Sequence, residues 1–107
     1  MRIFDVRDHF NPKYGEYIIG SREIERHSVY LVVGEVTEGE TRTLAPDGHD
    51  EILLLLSGEA TLESAEGTRS LAPQGAVYLD PEETATFRAV TACRYVVAGA
   101  HAAPHDH

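Results

Sequence analysis

D-G-H-D-E-I-L-L-L-L-S-G-E-A-T-L, from Asp47 to Leu62, sets metal-capable side chains against a five-residue apolar run and then a turn glycine. Asp47, His49 and Glu51 alternate, so an extended backbone points all three to one side. Ile52 to Leu56 is too short to cross a membrane and has the length of a strand buried on both faces. A carboxylate and an imidazole at the end of such a strand predict a site inside a β-barrel. If Glu51 points inward, Leu53 and Leu55 follow it, while Ile52, Leu54 and Leu56 point outward. Those outward residues are too apolar for water, so either the N-terminal strands or a second subunit must cover them.

Outward from this segment the chain reads as short strands and turns. Ile3 to Val6 predicts a short strand, Asn11-Pro12 and Gly15 break it, and Tyr17 to Ile19 resumes. Ser28 to Val36, rich in Val and Tyr, predicts a long strand with Thr41 to Leu44 as its partner. Beyond Gly58 come Ala60 to Ser64, Arg69 to Leu71, Val77 to Leu79, Thr84 to Val90 and Cys93 to Ala98, separated by turn residues. Ser21 to Arg26 is the one helical turn expected. So many short strands in so short a chain predict an all-β fold, an antiparallel sandwich or barrel.

Composition narrows the function classes. At 107 residues the chain makes one domain, 1–107, and the last seven residues, His101 to His107, form a histidine-bearing tail. Eighteen acidic residues against nine Lys and Arg give a formal charge of −9, which argues against nucleic acid and against an anionic membrane. The single cysteine, Cys93, excludes an internal disulfide and fits a reducing, cytoplasmic setting. Its residue type is read as small and buried rather than as a reactive thiol. The tail holds three of the six histidines and is read as a solvated end that chelates ions adventitiously. No phosphate-cradling loop, paired-cysteine motif or nucleophile elbow occurs.

From about Ala45 to Arg88 the chain resembles the cupin superfamily. That family's first motif has two histidines one residue apart, then a glutamate, then a glycine six residues beyond it; Glu51 and Gly58 match its second half. The second motif opens with a glycine and, five residues on, a proline, matched by Gly75 and Pro81. The resemblance implies a cupin-like antiparallel barrel (a jelly roll, or double-stranded β-helix) whose motif core spans about 42–90. It also implies a divalent metal (Zn²⁺, Mn²⁺, Ni²⁺ or Fe²⁺) and a homodimer. The sequence departs from the motifs where the ligands belong. The two first-motif histidines fall at Ala45 and Asp47, the second-motif glycine at Glu83 and its histidine at Thr86.

Two readings of the site follow. One is a small-molecule-binding cupin that lacks the usual three-histidine centre. Its ligand pocket is expected at Glu51, Thr86, Arg88 and Tyr78, with Arg88 sharing the parity of Thr86 and anchoring a carboxylate or phosphate. Tyr30, Tyr78 and Tyr95 serve packing first, with one or two available to line the cavity. The other is a metal-dependent isomerase, lyase or dioxygenase with a rearranged metal site of Asp47, His49 and Glu51. Against that stands a plain polar turn at Asp47 to Asp50, and a Glu51 paired with Arg42 or Arg88. No catalytic residue is assigned.

Overall fold

Alternation of buried and exposed side chains decides how the strands stack, and a computed structural model describes residues 1–101 of the chain. The strands are β1 (Phe10–Asn11), β2 (Glu16–Ile19), β3 (Val29–Val36), β4 (Thr41–Leu44), β5 (His49–Ser57), β6 (Ala60–Ser64), β7 (Gly67–Leu71), β8 (Ala76–Leu79), β9 (Ala85–Ala89) and β10 (Cys93–His101). One short helix, α1 (Ser21–Ile24), fills the helical turn expected there. The strands form two antiparallel sheets, ordered β1-β2-β3-β10-β5-β8 and β4-β9-β6-β7. This is the all-β jelly-roll arrangement.

The two apolar faces close on one core. Leu53, Leu55, Phe87 and Tyr95 are wholly buried, and Val36, Leu62, Leu79, Cys93 and Val97 pack with them. Full burial of each Leu or Phe side chain is worth about 1.5–3 kcal/mol. The Phe87 and Tyr95 rings, from opposite sheets, lie 5.1 Å apart at 54°. The β5 alternation is the expected one: Leu53 and Leu55 are buried, whereas Ile52 is half exposed. Gly58, at φ +87°, turns the chain from β5 into β6.

Three expectations are corrected. Ile3 to Val6 is not a strand; Val6–Asp8 is a 3-10 turn, capped by the Asp5 carboxylate accepting from Arg7 N at 3.0 Å. A capping aspartate won over apolar content. Thr41–Leu44 pairs with β9 and not with β3, which lies between β2 and β10. The turn Thr37 to Glu40 therefore crosses between the sheets instead of closing a hairpin. Strand β10 also runs on to His101, so the first residue of the supposed tail is ladder-bound; the remainder, 102–107, lies outside the described residues.

Candidate functional site

The interior is not apolar throughout. Glu16 and Tyr95 flank Gly34 across the ladder, and Tyr30 and Glu51 flank Gly99 in the same way. Tyr30 Oη donates to Glu51 Oε2 at 2.5 Å. Tyr95 Oη donates to Glu16 Oε2. Two phenol–carboxylate pairs thus stand on the inner wall, close enough that the Glu51 charge acts on Glu16. Each phenol lies over the glycine between the partners, and needs that room. A methyl group on Gly34 would sit 2.2 Å from Tyr95 Cζ, and one on Gly99 would sit 2.1 Å from Tyr30 Cζ.

Burial governs the electrostatics. It pushes the Glu16 carboxyl up, the Tyr95 hydrogen bond and the Arg42 charge pull it back, and Glu51 adds to the rise. Burial and the Glu51 bond drive the Tyr30 phenol far above its ordinary value, and burial with the Glu16 bond does the same to Tyr95. Both phenols are therefore neutral donors at physiological pH, each aimed at a carboxylate. Arg42, opposite Phe87 on the β4–β9 ladder, supplies the positive charge felt by Glu16 and Tyr95. Such a lining can accept hydrogen bonds through its carboxylates and donate them through Arg42.

A second cluster lies at the end of the same inward face. His49 begins β5 and His101 ends β10, paired across the ladder. Their rings meet edge-on with centroids 4.3 Å apart. His27, in the segment before β3, brings Nδ1 to 3.4 Å from His101 Nε2. Tyr30 packs against His49 at 5.4 Å and His101 at 6.3 Å, which joins the two clusters. Desolvation, then the His49 and His27 charges, hold His101 below its ordinary value.

The expected site residues divide between the two sides of the wall. Glu51 and His49 share the face that carries Leu53 and Leu55. Asp47 is exposed on the turn before β5 at φ 52°, where Gly48 N donates to Pro81 O at 2.9 Å. Tyr78 is on the outer face, 56% exposed, and donates to Asp50 Oδ1 at 2.6 Å; that bond pushes its phenol up to about 12. Thr86 and Arg88 are not inward, because Ala85, Phe87 and Ala89 take the buried side of β9. Arg88 instead donates to Gly39 O at 3.4 Å at the surface. The inward parity expected of β9 is one residue out of phase. Glu51 is bonded to Tyr30 and not to an arginine. Among the described residues no three His, Cys, Asp or Glu side chains converge to hold a metal ion as they stand. The motif positions Ala45, Asp47 and Thr86 thus do not fit the family's metal, and no chemistry is derived through one there. Cys93 is buried, with Sγ 3.2 Å from the carbonyls of Glu59 and Thr91, and burial raises its thiol.

No protein-family profile and no curated protein matches the chain. Solved structures do. Ectoine synthase from P. lautus superposes with a TM-score of 0.76 at 18% identity, over 94% of this chain and 78% of that one. A cupin superfamily protein from Desulfitobacterium hafniense DCB-2 gives 0.65 at 16% identity, over 71% and 70%. The chain has the fold of a small cupin. A third structure of similar shape, TT1209 from Thermus thermophilus, gives 0.67 at 19% identity, over 94% and 98%. Within this cupin barrel the sequence does not single out Glu16 or Arg42 as part of a pocket, and it reads Tyr30 and Tyr95 first as packing residues. The alternation of Glu16 with Tyr17 at the start of an otherwise apolar strand is the available signal.

Proposed function

We propose that this cupin barrel binds a small polar molecule rich in hydrogen-bond donors, such as an amine or a hydroxylated metabolite. The observation that carries this reading is the pairing of Glu16 with Tyr95 and Glu51 with Tyr30 on one interior wall, beside Arg42. Two carboxylates against one guanidinium favour a ligand that donates, with Arg42 taking one acceptor group on it. The part-buried acids hold a place that apolar side chains would fill at lower cost. A ligand that meets their free lone pairs offsets that cost.

Thermal-shift screening against a panel of small amines, polyols and amino acids tests this. Donor-bearing members are expected to stabilise the protein. Changing Glu51→Gln or Arg42→Ala is expected to weaken the best of them by at least about tenfold, about 1.4 kcal/mol. Arg88→Ala, on the outer face, is expected to leave it unchanged. Binding that ignores both interior substitutions sinks the proposal.

A further inference from the structure

The histidine cluster is absorbed neither by that ligand site nor by the cupin motif positions. We propose that His27, His49 and His101 together bind one first-row transition-metal ion, zinc by preference, at the mouth of the barrel. The three come from separate segments held in register. His49 and His101 are ladder partners, and His101 N donates to Ser28 O at 3.1 Å, which ties the end of β10 to the segment bearing His27. Placement by three backbone segments makes this cluster more than a chance surface histidine.

The nitrogen geometry specifies the ion. His27 Nδ1 and His101 Nε2 lie 3.4 Å apart. That is long for an N–H···N bond, whose usual reach is about 2.7–3.2 Å. It matches the span between two ligands of tetrahedral zinc, about 3.3 Å for Zn–N near 2.05 Å. One ion between the rings would satisfy both lone pairs, where a single shared proton bridges them poorly. His49 supplies the third nitrogen from a ring 4.3 Å from that of His101. It meets His101 edge-on, so a side-chain rotation must bring its nitrogen round, and its partial exposure leaves room for that turn. His27 is exposed, giving the ion a path from solvent. The acidic chain, at −9, draws cations toward the mouth. Three imidazoles leave the fourth tetrahedral position to water or a small ligand.

Tail histidines His105 and His107, outside the described residues, would confuse the measurement, so the test uses the full chain carrying His105→Ala and His107→Ala. Zinc is titrated calorimetrically, and cobalt is followed by the visible absorption of a four-coordinate centre. One ion per chain is expected. His27→Ala, His49→Ala and His101→Ala should each weaken zinc by at least about tenfold, whereas Asp47→Ala should not. Far-UV circular dichroism and a His27→Gln variant, at an exposed position, separate ligand loss from misfolding. Absence of binding in the folded parent overturns the proposal, and so does binding that any one of the three substitutions leaves unmoved. Loss with Asp47→Ala would overturn it as well, by placing the ion on the turn before β5. None of these outcomes bears on the donor-rich ligand, which Glu51→Gln and Arg42→Ala test separately.

Discussion

Glu16 is a residue whose environment folding alters strongly. Burial raises its carboxyl, and Tyr95 and Arg42 offset only part of that rise. A carboxyl raised above its unfolded value holds its proton more readily in the native state. Its contribution to stability is therefore complete below the unfolded value and is lost as pH rises through the raised native one. Wild type should lose stability from mildly acidic to neutral pH through this group, and Glu16→Gln should not lose that share. The variant keeps an oxygen to accept from Tyr95 but carries no charge to desolvate. Melting temperatures of both proteins from about pH 4.5 to pH 7.5 check this, since other titrating groups are common to the pair and cancel in the difference. Parallel curves would show that the Glu16 carboxyl is solvated after all.

At the scale of elements, β9 shows what alternation decides. Phe87 is wholly buried against Tyr95, while Thr86 and Arg88 stand on the far side. Phe87→Ala is expected to cost about 3–5 kcal/mol in urea unfolding. Arg88→Ala and Thr86→Ala should each stay within about 0.5 kcal/mol. A large cost at Arg88 would restore the inward reading. Most strands are legible in the sequence because turn residues bracket apolar runs: β4 and β6 coincide with their expected limits, and β5 with its inward Leu53 and Leu55 has the expected faces. The phase of β9 is not, since Thr84 to Val90 alternates small and polar residues with apolar ones and offers two plausible registers. Strand partners are also hidden, because pairing of Thr41–Leu44 with β9 joins residues far apart in sequence. The site is half legible for the same reason. Glu51 and His49 belong to one conspicuous segment, whereas Glu16, Arg42, Tyr95, His27 and His101 meet them only through the sheet order.

At the scale of the whole molecule, the outer face of the six-stranded sheet remains uncovered where the ladder brings apolar residues into rows. Tyr78, Ile52, Ala98, Leu31 and Ile19 are successive partners across β8, β5, β10, β3 and β2. Ile52, Tyr78 and Leu31 are 52%, 56% and 38% exposed. The N-terminal strands extend the sheet at its edge and so do not lie over this row. Among the described residues no helix is long and apolar enough to cross a membrane, so a helical bilayer span does not account for the face. We propose that a second copy covers it, giving a homodimer packed sheet against sheet. Two chains of charge −9 repel one another, and an uncharged row is where they approach at least cost. A two-fold contact places Ile52 against its own counterpart's face, so one substitution acts twice. Ile52→Lys sets like charges into both halves of the contact and is expected to yield monomer in sedimentation equilibrium, with wild type dimeric at the same concentration. Because Ile52 points away from the core, the variant should keep its circular dichroism spectrum. A monomeric wild type, or a dimer unmoved by Ile52→Lys, would show that this face is not the contact between copies.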